Sequence, residues 1–259
     1  MEITVQGIKT NYIKEGSGEN NVIFLHGWGS NLEVFRRYIS FLSRTYTVYA
    51  VDLPGCGGTA EPKAPLDVTG YAAFVNSFAA QLGIKKASLI GHSNGGRTII
   101  RLASWEGRTF DIDKIILIDS AGIKAPPTFK KTLKSSVFKA GKTFLGLKPV
   151  KKLFPNALTG LQNKFGSEDY RNASPMMKQC MVKLINEDLT PILACIKFPT
   201  LLVWGDKDTA TPLSDGKLME KLIPNSGLVV LKNSGHYSFL EQPFVFTSVL
   251  DSFLNTGSK

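Results

Sequence analysis

The feature that most constrains the fold of this chain is a regular alternation of short apolar runs with amphipathic stretches. Six runs of four or five residues are predicted to be buried strands: Val22–Leu25, Thr47–Val51, Ala87–Ile90, Lys114–Ile118, Thr200–Trp204 and Gly227–Leu231. Helical periodicity marks the stretches between and after them: Leu32–Ser43, Thr69–Leu82, Gly95–Trp105, Leu213–Leu222 and Phe244–Leu254. This alternation is typical of a mostly parallel sheet flanked by helices. Ahead of it, Ile3–Val5 and Asn11–Lys14 flank Gly7 and predict an antiparallel edge hairpin.

The alternation fails between Ala121 and Pro199, a stretch with several helical patterns and no convincing strand. The stretch is too long for an ordinary connection between a strand and a helix. We therefore predict a core formed by residues 1–120 and 199–259, and a helical lid or cap formed by residues 121–198. An insertion at this point would fold over the carboxyl edge of the sheet, where ligands bind in such folds.

The predicted insertion also carries the positive charge of the chain. The chain has 31 Lys and Arg and 21 Asp and Glu, a net charge of +10. Of these, 13 bases and two acids lie between Ala121 and Ile185, which leaves 18 bases and 19 acids elsewhere. An apolar stripe over residues 129–147, opposite Lys130, Lys131 and Lys134, predicts an amphipathic helix there.

Two interpretations of this charge stay open. The lysines could be a solvated face on a lid that covers an apolar pocket, or they could contact an anionic membrane surface or attract an acidic substrate. No recognition motif for nucleic acid accompanies the charge, so we expect no nucleic-acid partner.

The remaining composition indicates a cytoplasmic protein. Met1–Val5 lacks the basic and apolar regions of a signal peptide, and no apolar run approaches the roughly 18 residues of a membrane span. The three cysteines, Cys56, Cys180 and Cys195, lack metal-ligand spacing, so we expect free thiols. Because no metal-binding cluster or dinucleotide-binding glycine motif occurs in the sequence, we expect neither a metal nor a cofactor.

A serine lies at a predicted turn from strand to helix. Gly91-His92-Ser93-Asn94-Gly95 matches the pattern G-x-S-x-G, with a buried strand predicted before it and a helix after it. On such a sharp turn the serine hydroxyl projects from the backbone near the positive end of the helix, and the glycines remove side chains that would collide. Ser93 is therefore the predicted nucleophile.

A serine nucleophile needs a base, and the chain has three histidines. His92 adjoins Ser93 in the strained turn, where its side chain should point elsewhere. His26 follows another predicted strand and is interpreted as a structural ring that supports its loop. His236, just beyond the last predicted strand, is the predicted base.

The base in turn needs a carboxylate that fixes its tautomer. Asp206 and Asp208 follow the penultimate predicted strand, and Asp119 follows the strand before it. The order Ser, Asp, His is found in hydrolases with this kind of turn. This order is compatible with any of the three carboxylates as the partner of the base.

Taken together, the motifs resemble the α/β-hydrolase fold family in their order and spacing. They are His26-Gly27-Trp28-Gly29, Asp52-Leu53-Pro54-Gly55-Cys56-Gly57, Gly91–Gly96, Gly205–Pro212 and Gly235-His236. The resemblance implies a mostly parallel eight-stranded α/β sheet flanked by helices, with a helical lid or cap insertion. It also implies that the acid is Asp208, three residues after Gly205, and that the backbone amides of Trp28 and Asn94 form the oxyanion hole.

The resemblance implies a serine hydrolase that cleaves a carboxylic ester with an apolar acyl or alcohol part. One alternative is a carbon–carbon bond hydrolase or lyase that acts on an acidic dienoate with the same triad. A second alternative is a non-catalytic ligand receptor on the same fold, against which an intact triad argues. Relatives that are haloalkane dehalogenases or epoxide hydrolases are excluded because they carry an aspartate at the position of Ser93. Asn94 departs from the apolar residue that many relatives have there, which leaves the substrate class open.

Overall fold

The structure, a computed structural model of the chain, describes residues 1–124 and 168–255. Its strands are β1 (Glu2–Val5), β2 (Ile8–Glu15), β3 (Asn21–Leu25), β4 (Thr47–Val51), β5 (Lys86–His92), β6 (Asp111–Ile118), β7 (Thr200–Gly205) and β8 (Ser226–Leu231). Its described helices are α1 (Arg36–Leu42), α2 (Val68–Gln81), α3 (Asn94–Ala103), α4 (Glu168–Asn172), α5 (Pro175–Asn186), α6 (Leu213–Leu222), α7 (Ser238–Glu241) and α8 (Pro243–Asn255). Short 3-10 turns at Leu32–Phe35 and Thr190–Cys195 precede α1 and β7.

The strands form one eight-stranded sheet in the order β1-β2-β4-β3-β5-β6-β7-β8. β1 pairs with β2, and β2 with β4, in antiparallel fashion, whereas every other neighbouring pair is parallel. The predicted mostly parallel α/β sheet is therefore confirmed. The carboxyl ends of β3, β5, β6, β7 and β8 lie at the same edge, which brings the loops after these strands together.

The predicted edge hairpin is also present. Gln6 and Gly7, with φ of 51° and 76°, form the two-residue turn between β1 and β2. Positive φ at both central residues is the conformation that matches the twist of a tight hairpin.

One predicted helix has a different start. The amphipathic stretch Leu32–Ser43 begins with a 3-10 turn, and the α-helix starts only at Arg36. The Asn31 side chain caps the turn by accepting a bond from the amide of Glu33, while the Leu32 amide donates to Asp52 across the loop. These two contacts stabilise a 3-10 turn at residues where the apolar periodicity predicts an α-helix.

Two apolar layers cover the sheet, and alternate residues of each strand supply them. On β3, Ile23 and Leu25 pack with α2, α3 and α6, whereas Val22 and Phe24 pack with α1 and α8. All of these strand residues are buried. Because both faces are covered, the central strands are continuous apolar runs, as a parallel sheet requires.

Part of the predicted insertion is described. Residues 168–198 contain α4, α5 and the second 3-10 turn, and Leu184, Leu189, Leu193 and Ile196 pack into the apolar layer beside α3. The predicted amphipathic helix over residues 129–147 lies outside the described residues. The division into a core and a 121–198 lid therefore stays a prediction. In the part of the chain that is described, no helix combines the length and the apolar character needed to cross a bilayer.

Candidate active site

Ser93 stands at the junction of β5 and α3 in a strained conformation. Its φ is 50° and its ψ is −110°, a region that residues with a side chain rarely adopt. Its amide donates to the carbonyl of Ile118, and its carbonyl accepts from the amides of Arg97 and Ala121, all at 3.0 Å. These bonds tie the turn to β6 and to the first turn of α3.

Glycines allow this turn to approach the neighbouring strands. A Cβ atom on Gly95 would lie 2.0 Å from the carbonyl oxygen of Leu25, and one on Gly96 would lie 2.2 Å from the hydroxyl of Ser120. Neither distance is tolerable, so only glycine fits at these two positions. The start of α3 is consequently held against the ends of β3 and β6.

The structure brings His236 to Ser93. The Nε2 atom of His236 lies 3.0 Å from the Ser93 hydroxyl, and its Nδ1 atom lies 2.8 Å from Oδ2 of Asp208. Because Asp208 accepts from Nδ1, the imidazole carries its proton there, and Nε2 is left to accept from the serine. Three side chains from three separate loops thus form one continuous hydrogen-bonded chain.

Asp208 is held as a carboxylate by several donors. Oδ1 accepts from the amides of Ala210 and Thr211, and Oδ2 accepts from the Thr211 hydroxyl at 2.7 Å in addition to His236. Burial disfavours the charged form, but the bonds from His236 and Thr211 outweigh it and hold the pKa of Asp208 below its ordinary value. An ionised carboxylate is the form that can accept from an imidazole and stabilise its protonated state.

The other two candidate carboxylates have different partners. Asp206 accepts from the Ser234 amide at 3.3 Å. Asp119 is buried and accepts from the Gly205 amide and from both the amide and the hydroxyl of Ser238. Burial raises the pKa of Asp119 to about 7. Its contacts join the ends of β6 and β7 to the start of α7, so it braces the loop that follows His236.

The other two histidines have structural partners. His26 is fully buried, accepts from the Leu53 amide through Nε2 at 2.9 Å, and donates through Nδ1 to the Gly27 carbonyl. Burial lowers its pKa. His92 donates through Nε2 to the main-chain carbonyl of His236 at 2.7 Å, and its ring lies 4.9 Å from the His236 ring.

A cavity of about 820 Å³ opens beside Ser93 and His236. Trp28 and Asn94, the two residues predicted to supply oxyanion amides, line it. Asn94 is the first residue of α3, so its amide has no carbonyl partner within the helix. Apolar side chains form part of the wall: Ile123, Met181, Leu184 and Ile185.

A family model described as the alpha/beta hydrolase fold matches residues 20–243 of the chain. The chain belongs to the α/β-hydrolase fold family. The resemblance stated from the motifs is thereby confirmed.

Individual relatives agree with this assignment. The AB hydrolase superfamily protein YisY of Bacillus subtilis is 31% identical over 257 residues, which cover 91% of each chain. The pimeloyl-[acyl-carrier protein] methyl ester esterase of Neisseria meningitidis is 29% identical, over 91% of this chain and 93% of the relative. A solved esterase from Exiguobacterium antarcticum superposes with a TM-score of 0.77 at 25% identity and covers 99% of both chains. These relatives support an enzyme of the α/β-hydrolase type.

Two residues of this α/β hydrolase went unnoticed in the sequence. Thr211 bonds Asp208 through its amide and hydroxyl, and its position inside the motif Gly205–Pro212 was the available signal. Arg97 is buried and lines the cavity. Its place four residues after Ser93, on the same face of α3, could have marked it.

Proposed function

We propose that this protein is a serine hydrolase that cleaves a carboxylic ester through an acyl-enzyme, with Ser93, His236 and Asp208 as its catalytic triad. The observation that carries the proposal is the continuous hydrogen-bonded chain from the Ser93 hydroxyl through His236 to Asp208. A serine hydroxyl is a weak nucleophile unless a base takes its proton, and the base acts only in the correct tautomer. The arrangement supplies both requirements.

In the first half-reaction Oγ of Ser93 bonds to the ester carbonyl carbon while its proton passes to Nε2 of His236, 3.0 Å away. Collapse of the tetrahedral intermediate breaks the bond to the alkoxy oxygen, which leaves as an alcohol with that proton. In the second half-reaction a water gives its proton to Nε2 and attacks the acyl carbon. Release of the carboxylic acid returns the proton to Ser93, so neither a redox step nor a further reactant is needed.

The negative charge of the intermediate needs donors that are already in place. We assign this role to the backbone amides of Trp28 and Asn94. Both residues line the cavity beside Ser93, and the Asn94 amide begins α3, where the helix dipole favours negative charge. Trp28 is partly buried and packs against the core, which would hold its loop in place.

The substrate class rests on the wall of the cavity and on the relatives. The apolar side chains along α5 suit an ester with an apolar acyl or alcohol part. Two of the compared relatives carry the name esterase, and one of them is named for a methyl ester. Ester cleavage is therefore the chemistry that we place first.

A fluorophosphonate probe tests the proposal. It should label the protein at Ser93, and Ser93→Ala should abolish labelling and reduce kcat for a short-chain ester by about 10⁴-fold or more. Ser104→Ala, at the carboxyl end of α3, is the matched control and should keep both properties, because the Ser104 hydroxyl donates only to the Arg101 carbonyl among the described residues. Labelling that persists in Ser93→Ala would contradict the assignment.

The presence of Arg97 and Lys124 at the cavity favours a second candidate with the same triad. A carbon–carbon bond hydrolase or lyase would act on an acidic dienoate, whose negative charge these residues could attract. Turnover of an anionic dienoate without turnover of any ester would favour this candidate. Ligand binding without labelling of Ser93 would favour a non-catalytic receptor instead.

A further inference from the structure

Arg97 is a buried cation at the wall of the catalytic cavity. It lies on α3 one helical turn after Ser93, about 6 Å along the helix axis. Only 7% of its surface is exposed, and it is among the residues that line the cavity. Arg97 therefore borders the space beside the nucleophile.

The known partners of Arg97 use one edge of its guanidinium. Nη1 donates to the main-chain carbonyls of Leu184 and Glu187 at the end of α5. A guanidinium has five N–H donors in a planar fork. In the described part of the chain, Nε and Nη2 make no hydrogen bond with protein, and they form the edge that matches the two oxygens of a carboxylate.

Among the side chains that the structure describes, no carboxylate forms an ion pair with Arg97, although Glu187 and Asp188 act on its charge at longer range and raise its pKa. Among residues 1–124 and 170–255 no carboxylate lies within 4.0 Å of it, and Glu187 forms its ion pair with Arg101. Burial lowers the pKa of Arg97 to about 10, which leaves it a cation at neutral pH. Anchoring α5 by its carbonyls requires a donor but no charge, whereas a buried unpaired charge is costly. The cost indicates that an anion from outside the described chain completes the site.

The other charged groups around the cavity agree with this. Lys124 also lines the cavity and donates to the Asn186 carbonyl. Among the described lining residues the acidic one is Asp215, and burial raises its pKa above the ordinary value. The net charge of the described residues that line the cavity beside Ser93 is therefore positive, and part of the remaining wall is apolar.

We propose that Arg97 binds a carboxylate on the substrate, so that the preferred esters are monoesters of dicarboxylic acids. This proposal rests on the proposed function and narrows its substrate class. A singly charged planar carboxylate fits the two parallel donors of the Nε and Nη2 edge. Arg97 is thus a specificity-determining residue that acts by binding, one turn from the nucleophile.

Matched esters test the proposal on the wild-type protein. The probes are monomethyl succinate, glutarate and adipate, each compared with its neutral carboxamide, in which CONH2 replaces the carboxylate. At one chain length or more, kcat/KM for the carboxylate should exceed that for the carboxamide by about tenfold or more, the value of a hydrogen bond to a charged group. A ratio near one at every length would overturn the proposal even if no variant folds.

Variants then assign the preference to a residue. Arg97→Gln should lower the carboxylate-to-carboxamide ratio by about tenfold, and Arg97→Lys should keep part of it because the charge remains. Arg101→Gln, one further turn along α3 and paired with Glu187, is the control and should leave the ratio unchanged. A ratio unchanged in Arg97→Gln, or lowered equally in Arg101→Gln, would overturn the assignment.

Fluorophosphonate labelling separates this proposal from the proposed function. Wild-type protein that is labelled at Ser93 but shows no carboxylate preference would contradict the role of Arg97 alone. Wild-type protein that is not labelled and hydrolyses no ester would contradict both proposals.

Discussion

Asp208 and Asp206 lie two positions apart in one loop but have different surroundings. Asp208 accepts from His236 and Thr211, whereas Asp206 accepts from the Ser234 amide. We expect Asp208→Asn to lower kcat by about 10⁴-fold, because an amide that donates to Nδ1 leaves the imidazole in the wrong tautomer. Steady-state kinetics on a short-chain ester provides the measurement.

Asp206→Asn is the matched control for that change and should keep most of the activity. Equal losses in the two variants would show that the loop as a whole, and not the Asp208 carboxylate, supports His236. A loss confined to Asp206→Asn would reverse the assignment.

His92 gives the stability of the protein a dependence on pH. Burial, followed by the charge of His236, lowers its pKa to about 3, whereas an unfolded histidine titrates near 6.5. Between these values the unfolded chain binds the proton and the native chain does not, so stability is lost as pH falls. For this one group the free energy of unfolding should be about 2 kcal/mol smaller at pH 5 than at pH 7.

Urea unfolding of wild type and of His92→Gln at the two pH values isolates this contribution. Glutamine keeps a donor for the His236 carbonyl but does not titrate. The difference in stability between the two proteins should therefore be larger at pH 7 than at pH 5. A difference that is the same at both pH values would mean that the pKa of His92 is not lowered in the native protein.

At the scale of elements, the turn between β5 and α3 depends on how closely α3 approaches β3. A Cβ atom on Gly95 would lie 2.0 Å from the backbone of Leu25, which cannot move without disturbing the strand. We expect Gly95→Ala to lower the free energy of unfolding by about 1–3 kcal/mol or more, the usual range for overpacking. Urea denaturation would measure this.

Gly227, on β8, is the matched control, because a Cβ atom there meets nothing within 4 Å and its φ is not positive. Gly227→Ala should be neutral or slightly stabilising, since alanine restricts the unfolded chain. If Gly95→Ala were as stable as Gly227→Ala, the turn would be more adaptable than its contacts indicate.

At the scale of the whole molecule, the basic segment between residues 121 and 185 and the buried Arg97 should affect the salt dependence of activity differently. The bases between Ala121 and Ile185 outnumber the acids by 13 to two, and exposed charges are screened within about 10 Å at 0.1 M salt. Arg97 is buried, so its interaction should be screened much less. We expect the preference for a carboxylate over its carboxamide to persist in about 0.5 M NaCl.

Replacing Lys130, Lys131 and Lys134 together by Gln is the companion measurement and should leave that preference in place. A preference that disappears with salt, or in the triple variant, would assign the recognition of the carboxylate to these lysines instead of Arg97. Binding to anionic vesicles that is lost in the triple variant would favour the membrane interpretation of the basic segment.

Local patterns in the sequence determined the sheet, the edge hairpin and the position of Ser93. Parallel strands buried on both faces must be continuous apolar runs, so Val22–Leu25 and Thr200–Trp204 could be recognised without a structure. The G-x-S-x-G turn is likewise local, because its glycines and serine are neighbours in the chain. His236 could be selected because the sequence offers only three histidines.

Only the tertiary structure decided which groups meet across the chain. From the residues alone, the choice among Asp119, Asp206 and Asp208 as the partner of the base stayed open, because each follows a strand that ends at the same edge. Which of them lies within a few ångströms of His236 depends on how three loops pack. The burial of Arg97 beside the cavity could not be predicted for the same reason, since it depends on how α3 and α5 pack together. Periodicity in the sequence shows which face of an element is apolar. The role of a charged residue on that face depends on the cavity that the neighbouring elements form around it.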